Sequence, residues 1–174
     1  MIRQTACFAG SRLEALIAFR RYANVTSIVT VPGSRVHQHC EASGIATHLA
    51  QRDRKDDTFH FLAEQSVQWV LSAGFPFIIP AFVLRSGPTF INSHPALLPA
   101  YKGYDAIKEA VRNGEEYMGV TVHYMVEKVD EGPPIYQEKV WVKGLVLQEI
   151  YDLMFGVVEP MAITRAMEYV LRQG

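Results

Sequence analysis

Cysteine is scarce. The 174 residues hold two, Cys7 and Cys40, one in an apolar run and one in a helical pattern, which excludes a disulfide-stapled secreted scaffold and leads us to expect reduced thiols in a cytoplasmic protein. Neither sign of charge dominates: 17 Lys and Arg stand against 18 Asp and Glu, a net charge of −1. No basic cluster forms, so the electrostatic footprint of a binder of nucleic acid or of an anionic membrane is missing. No apolar run nears the roughly 18 residues of a membrane-spanning helix, and Met1–Gly10 is too short and too polar for a signal peptide. Internal repeats, low-complexity tracts and linkers are lacking too. What is there is 49% hydrophobic and 20% charged, the profile of one globular domain over residues 1–174 that buries roughly 70% of its unfolded surface.

Short apolar runs alternate with helical patterns, which predicts βαβ units around a mostly parallel sheet. Strands are expected at 5–9, 25–31, 45–50 (weak), 67–73 and 88–91. Helices are expected at 11–22, where Ser11 and Glu14 suit a capping box, at 34–44 with Gly44 as its stop, and at 56–65. The stretch 74–83 reads as a proline-punctuated apolar loop. After a helix over 104–114, the alternating segments 119–126 and 134–142 predict an antiparallel pair joined by the turn at 127–134. A helical tail over 147–174, interrupted near Gly156 or Pro160, closes the chain; its Tyr151, Leu153, Met154 and Phe155 suit either the core or the interface of a homodimer. His37 and His39 stand at i and i+2 and do not share a helix face, so no metal site is expected there.

Polar side chains cluster at the ends of apolar runs in three places. The first is "INSHPALLPAYKG", which carries Asn92 and His94 before Pro95, Leu97, Leu98, Pro99 and Gly103. The second is "GVTVH" with Thr121 and His123, and the third is "VDEGPPIYQE" with Asp130 ahead of Gly132 and Pro133. The ends of buried strands are where α/β folds keep their chemistry. These segments resemble the folate-dependent formyltransferases, whose pattern is Asn-x-His-Pro-x-Leu-Leu-Pro, then Gly-x-Thr-x-His, then Asp-x-Gly-Pro. Their order agrees with that family, and so does the step of 36 residues from His94 to Asp130.

The resemblance implies a Rossmann-like three-layer α/β sandwich with antiparallel strands near the C-terminal part. It also implies transfer of a formyl group from 10-formyltetrahydrofolate to a primary amine of a small molecule, with Asn92, His94 and Asp130 catalytic. The chemistry wants these types: a carboxamide N–H steadies the oxyanion of a tetrahedral intermediate, typically by about 3 kcal/mol. An imidazole with a reference pKa near 6.5 moves the amine proton, and a carboxylate orients that imidazole. By the same resemblance Phe75, Pro76, Phe77, Ile78 and Ile79 wall a slot for the pterin, with Asp130 at its edge, while Gly10, Ser11, Thr121 and His123 are substrate-side candidates.

One departure concerns the acceptor. Relatives acting on glycinamide ribonucleotide have a Gly-rich turn after the first strand that cradles phosphate at a helix N-terminus; here "FAGSRLEAL" is about two residues shorter and lacks its Asn. The chain also lacks the C-terminal extension of methionyl-tRNA formyltransferases and the N-terminal domain of formyltetrahydrofolate hydrolases. A bare catalytic core is therefore expected, acting on an amino sugar, an amino acid derivative or glycinamide ribonucleotide. Hydrolysis of the donor, or folate binding without catalysis, are the alternatives.

Overall fold

Strand β1 (Thr5–Gly10) lies mid-sheet because its side chains are apolar on both faces: Ala6 and Phe8 point into one buried cluster, Cys7 and Ala9 into the other. Such two-faced burial marks a parallel strand covered on both sides. The computed structural model describes residues 4–173; the outermost residues of the expected unit, 1–3 and 174, lie outside them. Beside β1 run β2 (Asn24–Thr30) and, beyond it, the two-residue β3 (His48–Leu49); on its other side run β4 (Trp69–Ala73) and β5 (Thr89–His94), all parallel. The sheet then turns antiparallel with β6 (Tyr117–Tyr124) and β7 (Pro134–Trp141), giving the order β3-β2-β1-β4-β5-β6-β7.

Helices cover both faces. One face carries α1 (Leu13–Arg20), α2 (Arg35–Ala42), α5 (Ala106–Arg112), α6 (Leu147–Leu153) and α7 (Glu159–Gln173). The other carries α3 (Lys55–Ala63) and α4 (Ala81–Leu84). These are the three layers expected, with antiparallel strands in the C-terminal part. Among the described residues no helix is long and apolar enough to cross a membrane. Both cysteines are free and buried, and burial pushes the Cys7 thiol up to about 11.

Three local readings are corrected. The capping box at Ser11 and Glu14 does not form: Ser11 N–H donates to Ala73 O (3.1 Å) and its hydroxyl to Gly74 O (2.9 Å). Helix α1 therefore starts two residues later, with Arg12 as N-cap and no side-chain cap. Strand β5 does not stop at Ile91 but runs to His94, because β6 continues to pair with it. The 74–83 stretch contains the short helix α4. The tail is interrupted where expected, by a π-helical stretch, Met154–Val158, that includes Gly156, and Pro160 follows as the second residue of α7. Of the four apolar tail residues, Met154 is fully buried and Tyr151, Leu153 and Phe155 pack against the same core.

Gly10 shows how tightly β1 and β4 meet. A Cβ there would stand 2.0 Å from Ala73 O, a main-chain atom that cannot move aside. Gly10→Ala is expected to cost about 1–3 kcal/mol through overpacking, read as a fall in the urea midpoint at constant slope. Gly156→Ala, whose Cβ meets nothing, is the control; equal stability of the two variants would contradict the packing described.

Candidate active site

Strand β5 delivers two of the polar side chains. Asn92 pairs with His123 and His94 with Thr121 across the β5–β6 ladder, and the period of two puts Asn92 and His94 on one face. Pro95, lacking an N–H, ends the ladder. The third group comes from the β6–β7 connection. Asp130 has φ 56°, a left-handed conformation that costs a non-glycine residue about 1–2 kcal/mol. Main-chain bonds hold it there: Glu131 N donates to Lys128 O and Tyr124 N to Pro133 O. Gly132 packs so closely on Tyr124 that a Cβ would lie 1.7 Å from its carbonyl oxygen.

These elements bring Asn92, His94 and Asp130 together. Asp130 Oδ2 accepts from Gly103 N at 2.9 Å and lies 3.4 Å from His94 Nδ1; its Oδ1 lies 3.6 Å from His123 Nε2. Each imidazole is fixed from behind by a carbonyl, His94 Nε2 by Tyr101 O at 2.7 Å and His123 Nδ1 by Tyr124 O at 2.9 Å. A carbonyl only accepts, so those two nitrogens carry the protons. The opposite nitrogens, His94 Nδ1 and His123 Nε2, then face the carboxylate with lone pairs, of which that on His94 has no donor among the described residues. The site is thus arranged to receive a proton between His94 and Asp130. Asn92 Nδ2 donates to His123 Nε2 at 3.3 Å, which uses one of its two N–H groups and leaves the other for a bound group.

Electrostatics follow from this packing. Burial holds His94 below the ordinary histidine range, against the upward pull of the Tyr101 carbonyl and Asp130. Burial alone would raise Asp130, but the Gly103 amide and the attraction of the carboxylate for protons on the facing imidazoles outweigh it and hold the carboxyl below its usual range.

Beside the trio opens a cavity of about 640 Å³, in the size range of small-molecule sites. It lies at the carboxyl ends of β1, β4 and β5, at the switch between β1 and β4, where the chain after β1 goes to β2 on one side and the chain after β4 goes to β5 on the other. Phe75, Pro76, Phe77, Ile78 and Ile79 all line it, with Phe75 and Phe77 edge to face at 5.5 Å. Ser11 and His123 line it as well.

Two expectations fail. Gly10 does not line the cavity; it is there for the close approach to Ala73. Thr121 is fully buried, its hydroxyl donating to Ala96 O (2.7 Å) while accepting from Leu98 N (3.0 Å) and Gln137 Nε2 (2.9 Å). It fastens the 96–98 segment and is not available to a substrate. Conversely, Arg12, Ser72, Tyr104 and Met125 line the cavity without having been singled out. Arg12 and Tyr104 each follow a residue that was, Ser11 and Gly103, and that adjacency was the signal for them.

The formyl transferase family model matches residues 11–151. The phosphoribosylglycinamide formyltransferase of Escherichia coli (strain K12) is 35% identical over 144 residues, 75% of this chain and 68% of that one. The trifunctional purine biosynthetic protein adenosine-3 of Homo sapiens is 33% identical over 147 residues, 77% of this chain but 15% of its own length. The crystal structure of phosphoribosylglycinamide formyltransferase from Bacillus halodurans superposes with a TM-score of 0.82 at 24% identity, over 99% of this chain and 97% of that one, a likeness of fold.

Proposed function

Because the chain belongs to the formyl transferase family, we propose that it moves a formyl group from 10-formyltetrahydrofolate to the primary amine of a small molecule, with Asn92, His94 and Asp130 as its catalytic residues. The observation that carries this reading is the meeting of a carboxamide, an imidazole and a carboxylate from β5 and the β6–β7 turn beside one cavity. The apolar walls of residues 75–79 suit the flat pterin of the donor. A donor bound there would supply the formyl carbon, and the proton that His94 takes from the attacking amine would pass to the departing folate nitrogen.

This chain's residues do the rest. The free N–H of Asn92 donates to the carbonyl oxygen as negative charge develops on it. His94 takes the proton that the attacking amine must lose, on Nδ1, where Asp130 stabilises the imidazolium. His123 keeps the Asn92 amide turned so that nitrogen, not oxygen, faces the reacting carbonyl. Every group comes from one chain, so no second copy is needed, and two buried reduced thiols suit a cytoplasmic setting.

A screen of primary amines with 10-formyltetrahydrofolate, following release of tetrahydrofolate, tests this. Release is expected only with an accepted amine. Formate production at the same rate without any amine would replace transfer by hydrolysis.

A further inference from the structure

The end of the cavity at the β1–α1 turn is built around an ion pair. Arg12 lines the cavity, one-fifth exposed, and its Nη1 donates to Glu159 Oε1 at 2.5 Å. Glu159 is fully buried where α7 continues the π-helical stretch without a break, its own N–H donating to Met154 O. The same Oε1 accepts from Ser93 Oγ at 2.5 Å, and Oε2 has no hydrogen-bond partner among the described residues. The Phe155 ring lies 4.0 Å below the Arg12 guanidinium carbon. Arg12 is thus held on one edge and one face, and its remaining N–H groups are left for whatever occupies the cavity.

Charge decides what that occupant is. Arg12 is the only Lys or Arg among the described residues lining the cavity, and Glu159 cancels it. Of the two acidic residues in the wall, Glu127 pairs with Arg85 and Asp130 faces the two imidazoles. Counting partners, the site carries no surplus positive charge. The Ser11 N–H and hydroxyl are already given to Ala73 O and Gly74 O. The uncapped first turn of α1 keeps backbone N–H groups, but Glu14 puts a carboxylate into that same turn, paired with Arg35 at 2.7 Å. A phosphate monoester, with up to two negative charges, would meet one cancelled cation and a first turn that already holds a carboxylate. A neutral hydroxyl or amide oxygen would meet N–H donors with no charge to balance.

We propose that the Arg12–Glu159 pair makes the β1–α1 end of the cavity a neutral subsite for hydroxyl or amide oxygens, so that the formyl acceptor is an amine on an unphosphorylated, hydrogen-bonding body. This rests on the transferase reading above and names its acceptor class. Arg12 and Glu159 are its specificity-determining residues: Arg12 touches the acceptor, and Glu159 sets the charge that Arg12 presents. Removing that charge while keeping the shape turns the subsite toward anions.

The test compares wild type with Glu159→Gln. Matched acceptors are glycinamide ribonucleotide and its dephosphorylated riboside, and inorganic phosphate is the probe, at constant ionic strength because screening alone alters weak anion binding. For wild type, kcat/KM with the ribonucleotide is expected not to exceed that with the riboside. Inorganic phosphate at about 10 mM, ten times a millimolar Kd, is expected to leave the KM for amine unchanged. In Glu159→Gln, phosphate is expected to compete with the amine and to raise its KM by about tenfold, as competition at ten times a millimolar Kd requires.

Calorimetric titration with phosphate reads the same difference without turnover. A wild type that prefers the ribonucleotide tenfold or binds phosphate overturns the subsite proposal, as does a folded Glu159→Gln protein that gains no phosphate binding. A protein that formylates no amine in the panel sinks the transferase reading instead, and the calorimetry still decides the subsite.

Discussion

His94→Ala lowers kcat/KM for formyl transfer by about 10³-fold, within the 10²–10⁴ span of a positioned general acid–base, while donor binding changes less than about threefold. The split follows from geometry. His94 is 4% exposed at the end of β5 and makes its contacts with Tyr101 O and the Asp130 carboxylate, not with the apolar walls of residues 75–79. Removing it takes away the proton acceptor and leaves the slot intact.

The pH dependence carries a sign that can be checked alongside. Neutral His94 is the competent form, and burial holds it below the ordinary histidine range. Wild-type kcat/KM therefore loses nothing to His94 protonation at neutral pH and falls only below that ordinary range, when the imidazole takes a proton before the amine can give one. The alanine variant lacks that acid limb. An acid limb retained in His94→Ala would assign the titration to another group.

The second large effect is expected at Asn92. Asn92→Ala lowers kcat by about 10²–10³-fold, the usual cost of one oxyanion donor, with little change in KM for the donor, because the lost bond matters only as charge develops. Asn92→Asp separates the N–H from the mere volume of the side chain. It fills the same space but turns a donor into an acceptor beside the reacting oxygen and beside Asp130, so it falls at least as far as the alanine. If Asn92→Asp retained more activity than Asn92→Ala, the carboxamide would be acting as a spacer and the donor role would be lost. Stability reports the same packing: with Asn92 gone, His123 Nε2 loses its 3.3 Å partner, so the alanine variant is less stable by about 1 kcal/mol.

Much of this was legible in the chain because it is local. Asn92 and His94 stand two apart on a strand that a proline ends, and Asp130 sits in a turn of Asp, Glu and Gly, so residue spacing carries both the motif and its placement. The layers of the fold followed from the alternation of apolar runs and helical patterns. What escaped depends on contacts between distant segments. Thr121 shares a face with His123 by strand parity, but parity does not say that the 96–98 segment crosses over one of the two and leaves the other open. Ser11 reads as a helix cap in isolation, yet β4 lies close enough to take both its donors. Glu159, 147 residues from Arg12, reaches it only because α7 docks against α1, β6 and β7, and no local pattern marks a glutamate that will be buried.

The most direct test of the site is whether His94 and Asp130 act as one device. Transfer rates are measured for His94→Ala, Asp130→Ala and the double variant, with donor binding followed in each to confirm a folded slot. If the carboxylate works through the imidazole it faces, the double variant is no slower than His94→Ala alone, the non-additivity of groups that serve one step. If instead the two losses multiply, the side chains contribute independently, and the coupling of imidazole and carboxylate in one proton transfer is contradicted.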